Sequence, residues 1–172
     1  MNYTITNPKG IDFPIQKIQN YLFDKLNWGD IAVYGRVHKN PSGQKGILLE
    51  AYIGHNEYKD VFTDDTKNAT IFFVEDDVHN SKEGIRFTTK IKIVFMVNLS
   101  KTFPSILHRA DMEAEMTAIE IIRKRSGFSF EKLEKGIKQC LGEFYTEGIK
   151  LNDMHPYHTF SITGEITYQI SC

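Results

Sequence analysis

Residues 85–99 read IRFTTKIKIVFMVNL, and this stretch decides the fold. Ile85, Phe87, Ile91, Ile93, Phe95, Val97 and Leu99 all occupy odd positions. Strand side chains alternate between faces, so the segment predicts one long strand with an apolar side turned to the core. The even positions divide. Arg86, Thr88, Lys90 and Lys92 make the first half of the second face wet, whereas Val94 and Met96 make its second half apolar. Two apolar side chains on that face require a cover. Two covers are open from the sequence: helices later in the chain, or a neighbouring subunit. Fifteen residues span roughly 50 Å at about 3.3 Å each, far beyond the usual strand of about five or six residues. A strand of that length either bends or extends past its own domain, and in the second case Val94 and Met96 are the candidate interface residues.

Working outward, Thr70 to Val78 forms the other arm of this long hairpin, with Ile71-Phe72-Phe73-Val74 as its apolar run and a charged turn over Asp76 to Gly84. Upstream, Asp12 and Pro14 open an amphipathic helix on Ile11, Ile15, Ile18, Leu22 and Leu26, ended by Asn27 and Gly29. Ile31 to His38 alternates like a strand, Lys39 to Gly46 carries turn residues, and Ile47 to Ile53 returns, predicting a first hairpin. Asn56 to Asn68 reads as a loop or short edge strand. Downstream, Arg109 to Lys124 predicts a second helix with Met112, Met116, Ile119 and Ile122 on its apolar stripe, acids early and bases late. Ser129 then reads as the N-cap of a third helix on Leu133, Ile137 and Leu141, weakened by Gly136. Phe160, Ile162, Ile166, Tyr168 and Ile170 alternate in a closing strand. The order α-β-β-β-β-α-α-β, strands in a run and then helices, predicts a single α+β domain with a mostly antiparallel sheet.

Composition removes several function classes. With 21 basic and 22 acidic side chains among 172 residues and no long run of one sign, there is no electrostatic footprint for nucleic acid or a membrane surface. No window approaches the roughly 18 uncharged apolar residues of a spanning helix, and MNYTITNPKG lacks a secretory apolar core. Two cysteines, Cys140 and Cys172, form no CxxC and point to free thiols, a reducing compartment and a soluble intracellular protein.

Candidate chemistry is sparse. His155-x-x-His158 near Asp153 has metal-ligand types without the one-face helical spacing of HExxH or an obvious third ligand, so a polar loop is the reading. Asp64-Asp65 and Glu75-Asp76-Asp77 lack a calcium-loop ladder. Gly43-Gln44-Lys45-Gly46 lacks the upstream Gly and the Ser or Thr of a phosphate loop. Cys140 on a helix reads as a small buried hydrophobe, His108, Arg109 and Asp111 as the polar opening of a helix, and Met112 with Met116 as core filler. No nucleophile, base and orienter set emerges, so the expectation is a non-enzyme without metal or cofactor.

The helix over Ile11 to Leu26, the long hairpin, the acidic helix opening HRADMEAEMTAIEII and the closing strand led in by DMHPYHTFSITGEITY resemble, in layout over nearly the whole chain, the small α+β tail terminator or tail completion proteins of tailed bacteriophages and prophages. That resemblance implies a virion structural protein made in the host bacterial cytoplasm. It implies a ring, commonly a hexamer, that caps the tail tube, stops its growth and offers a surface for joining the head, with tail tube and neck proteins as partners. The competing expectation is a small-ligand-binding or enzymatic α+β domain with a pocket between helices and sheet, served by Asp153, His155 and His158.

Overall fold

In the computed structural model, which describes residues 1–62, 65–124, 127–147, 149 and 153–169, the organising strand is β8, Arg86–Asn98. It lies between β6, Ala69–Glu75, and the last strand β10, Tyr157–Gln169, antiparallel to both. The register with β10 runs unbroken from Tyr157 opposite Asn98 to Gln169 opposite Arg86. The short β7, Asn80–Lys82, continues the long hairpin beyond β6. Beyond β6 lie β2, Ile31–Arg36, and β1, Asn2–Tyr3, each parallel to its neighbour; at the far edge β9, Phe128–Lys135, pairs with β10. The fold is α+β, with a seven-stranded mixed sheet whose long strands are antiparallel.

The first hairpin is narrower than its sequence predicts. Only β3, His38–Pro41, pairs with β4, Ile47–Gly54, and β5, Glu57–Asp60, completes a separate three-stranded sheet. The preceding β2 joins β6 in parallel instead, and the small sheet is the crossover between them, where an α-helix is usual. The reason is burial on both faces: Ile31, Ala32, Val33 and Tyr34 are all inside. A doubly covered strand belongs in the middle of a sheet.

One face of the large sheet carries α1, Asp12–Lys25, and α3, Asp111–Arg123. Ile15, Ile18 and Leu22 of α1 and Ala114, Ala118 and Ile122 of α3 join Ile91, Ile93, Phe95, Phe160 and Ile162 in the main core. Phe95 and Phe160, neighbours across β8 and β10, stack with ring centroids 4.7 Å apart. Gln19, buried on α1, donates its amide to Asn2, to the Tyr3 carbonyl and to the Val33 carbonyl, which stitches β1 and β2 under the helix.

The other face settles the cover over Val94 and Met96. Both are buried within the chain, 0% and 2% exposed, in a second core with Phe72, Leu49, Ala51, Val61, Cys140 and Leu141. The chain itself therefore covers them, and the covering elements are not α1 or α3. The small sheet and α4, Ile137–Leu141, form the third layer.

The predicted third helix is also corrected. Residues from Phe128 to Lys135 are strand, and helix begins only at Ile137. Leu133, Ile137 and Leu141 do not share one face: Leu133 packs on the main core and Leu141 lies in the second; a β-bulge near Thr163 and Gly164 shifts the register of β9, and Gly136 at φ 86° turns the chain into α4. Gly164 is required at that bulge: a Cβ there would lie 2.4 Å from the Ser129 carbonyl oxygen and 2.5 Å from the Phe128 ring. A further short helix, α2, Leu99–Thr102, follows β8, capped by the Asn98 side chain accepting from the Lys101 amide at 3.1 Å. Among the described residues no helix is long and apolar enough to cross a membrane.

Candidate functional site

The loop entering β10 brings its three polar candidates to three different places. Asp153 accepts from the amide of Ile137 at 2.6 Å and from that of Thr159 at 3.2 Å, pinning the start of α4 to β10. His155 is exposed, with Nε2 3.2 Å from the Ser100 hydroxyl oxygen. His158 is buried, with Nε2 2.9 Å from Oε1 of Glu115. Its Nδ1 lies 3.5 Å from Arg109, which can only donate. Glu115 is itself buried and takes Lys135 Nζ at 2.7 Å on its other oxygen. This set ties α3 to β9 and β10 as a satisfied internal network, which is how buried charge is tolerated. It gathers no metal geometry: no group of three or more potential ligands occurs among the described residues.

The remaining sequence candidates are engaged locally. Arg36 binds Asp12 through two nitrogens, at 2.7 and 3.0 Å, and Glu75 at 2.9 Å; Glu75 also takes His79 at 2.8 Å. Asp76 caps the turn at Val78, and Asp77 pairs with Lys39. Asp65 accepts from the Asn98 amide and from Lys101, and these donors hold its carboxyl below the ordinary range; Asp64 lies outside the described residues. Gly43–Lys45 is a single turn of 3-10 helix between β3 and β4, in keeping with a hairpin turn. Cys140 is buried, 1% exposed, and burial pushes its thiol up to about 11, so at neutral pH it holds its proton and is a poor nucleophile. Cys172 lies outside the described residues.

What stands out is surface that the sequence reading placed inside. Met112 and Met116 are 52% and 48% exposed: the buried stripe of α3 is Ala114, Glu115, Ala118 and Ile122, so the methionines are not core filler. Small residues at Ala114 and Ala118 let the helix sit close to the sheet, and the longer side chains rotate outward. Lys135 Nζ lies 3.8 Å from the Met112 sulfur. On loops beside this end of α3, Leu107 is fully exposed and Met154 largely so. Arg109 binds these loops together, bonding to the Asp153 and Tyr157 carbonyls and pairing with Asp111.

At the opposite end of β10 a groove of about 740 Å³ opens between the start of α1 and the ends of β8 and β10. Phe13 and Tyr168 line it, with Lys9, Lys17 and Arg86 as its charged side chains. None of these was visible as a set in the sequence, because Lys9, Lys17 and Arg86 are far apart in the chain and only the tertiary fold convenes them. Compared with known proteins, the chain matches no family model, no curated protein and no solved structure.

Proposed function

We propose that this chain is a virion structural protein of a tailed phage or prophage, a ring-forming tail terminator or tail completion subunit at the head–tail junction that works through protein surfaces and catalyses nothing. The observation that carries the reading is the exposed apolar set Leu107, Met112, Met116 and Met154 on and beside α3. Large apolar side chains grouped this way mark surfaces that are covered in an assembly, and methionine adapts to a partner's shape. The layout of the chain, with its long hairpin, acidic helix and closing strand, supports the tail-terminator class by resemblance. The alternative, a ligand-binding or enzymatic domain, needs Asp153, His155 and His158 to converge on a cleft, and each is engaged elsewhere.

The test is assembly of the purified full-length chain. Sedimentation velocity across a wide concentration range, with electron microscopy of the heaviest species, is expected to give a closed ring, six subunits being the number the resemblance implies. A chain that stays monomeric at every concentration overturns the reading. Deleting its coding sequence from the parent phage or prophage is expected to leave tails of uncontrolled length that fail to join heads; normal virions would place the protein elsewhere.

A further inference from the structure

Independently of the ring reading, we propose that the groove around Phe13 binds a small aromatic phosphate monoester, with the flat ring of the ligand against Phe13 and its phosphate among Lys9, Lys17 and Arg86.

The groove has the dimensions and lining of a small-ligand site. Its volume, about 740 Å³, falls within the roughly 300–1,000 Å³ of such pockets, and it mixes apolar and aromatic side chains with a few polar ones. Its walls are held in place without a ligand. Tyr168 stacks on Phe87 with ring centroids 5.6 Å apart, its hydroxyl oxygen is 2.7 Å from His79 Nδ1, and His79 Nε2 is in turn 2.8 Å from Glu75. The lead into α1 faces that ring, since a Cβ on Gly10 would lie 3.9 Å from it. A preset wall lowers the ordering cost of binding.

Charge selects the ligand. Lys9, Lys17 and Arg86 are exposed, no acid lines the groove, and among the described residues none of the three cations is in an ion pair. The acids behind the walls are already engaged. Asp12, beside Phe13 in the chain, takes Arg36 on both oxygens, and Glu75, which reaches Tyr168 through His79, is shared by Arg36 and His79. Three positive charges facing no negative one are better neutralised by a phosphate monoester, at about −1.5 to −2 near neutral pH, than by a single carboxylate. Arg86 offers the planar fork that grips phosphate through two parallel hydrogen bonds, and the lysines act as point charges.

Phe13 decides what the phosphate is attached to. Its ring is about half exposed, and Lys17 Nζ stands 4.0 Å from the ring centroid. A flat ring stacks on an exposed phenyl group, and a lysine beside that phenyl group holds the anion next to the stack.

Calorimetric titration of the full-length chain at low salt tests this with phenyl phosphate, inorganic phosphate, benzoate and phenol as probes. Phenyl phosphate is expected to bind saturably at one site. The other three are expected to bind at least about tenfold more weakly, because inorganic phosphate lacks the ring, benzoate the second charge and phenol the anion. Lys17→Glu with Arg86→Glu is expected to weaken phenyl phosphate by at least about tenfold. Phe13→Ala is expected to bring phenyl phosphate down to the affinity of inorganic phosphate, which that variant leaves unchanged. Circular dichroism reads folding; should the double variant unfold, Lys9→Glu, ahead of α1 and outside the strands, takes its place. A wild type that shows no saturable binding of phenyl phosphate overturns the site, and so does binding that none of these variants weakens. Inorganic phosphate, benzoate or phenol bound as tightly as phenyl phosphate overturns the assigned ligand class. Each of these results is read on the chain whether or not it assembles, so failure here leaves the ring reading standing.

Discussion

The two faces of the large sheet are built by different means. On the helical face, long apolar side chains of β8 and β10 meet two full helices, and the phenyl rings of Phe95 and Phe160 stack beneath them with Trp28 edge-on to Phe95. On the opposite face the cover is a three-stranded sheet of short strands and one short helix, and the core is smaller. Ser161 and Thr163 are buried there. The edge strand β5 is exposed along its whole length. A long apolar strand thus has one face sealed by helices and another by a lighter layer, and the lighter layer is the one whose opening costs less.

Phe95 and Met96 are adjacent in sequence and point to opposite faces, so a matched pair of truncations measures the contrast most directly. Phe95→Ala is expected to cost about 3–5 kcal/mol, and Met96→Ala about 2–3 kcal/mol, in the lower part of the range for large buried side chains. Denaturant unfolding of both variants checks this. A Met96→Ala loss near zero in the monomer would restore the neighbouring-subunit cover that the buried position argues against.

Alkaline pH probes the lighter layer through Cys140. Cys140 has its folded pKa raised by burial from 9.0 to about 11, so the native thiol keeps its proton in a range where the unfolded thiol ionises. Its contribution is therefore fully present below pH 9 and is lost as pH rises towards 11, by about 2–3 kcal/mol at about 1.4 kcal/mol per pKa unit. Cys140→Ala is expected to flatten that part of the stability profile. An unchanged slope in the variant would mean that another group sets the alkaline limit.

The smallest effect concerns one buried hydroxyl of the lighter face. Thr163 carries a buried hydroxyl with no hydrogen-bond partner among the described residues. Thr163→Val keeps the shape and removes the unpaired group, and is expected to stabilise the fold by up to about 1 kcal/mol. A destabilised variant, read by thermal unfolding, would show that the hydroxyl is satisfied.

Much of this architecture is written in local pattern. Period-two alternation in residues 85–99 predicts β8 within a residue at each end, and three- and four-residue spacing places α1 and α3. Those signals are local, because strand and helix geometry repeat over a few residues. Where two patterns coexist in one stretch, locality fails. Leu133, Ile137 and Leu141 keep helical spacing while Phe128 to Lys135 forms an edge strand, because pairing with β10 and the bulge at Gly164 outweigh the period. The same holds for α3, whose stripe could have turned Met112 and Met116 inward. The close approach allowed by Ala114 and Ala118 chose the other rotation.

By itself, then, the sequence determined the α+β class, the dominant hairpin, the apolar stripe of α1 and the absence of a strong charge footprint, since each follows from side-chain order along the chain. Only the tertiary structure decided that the chain covers Val94 and Met96 with its own small sheet, that β2 pairs with β6 rather than with β4, and that Lys9, Lys17 and Arg86 share one groove with Phe13. Those are contacts between residues tens of positions apart. Burial on both faces of a strand, or the meeting of three distant cations, is set by which layers close over which, and nothing in a local period encodes that.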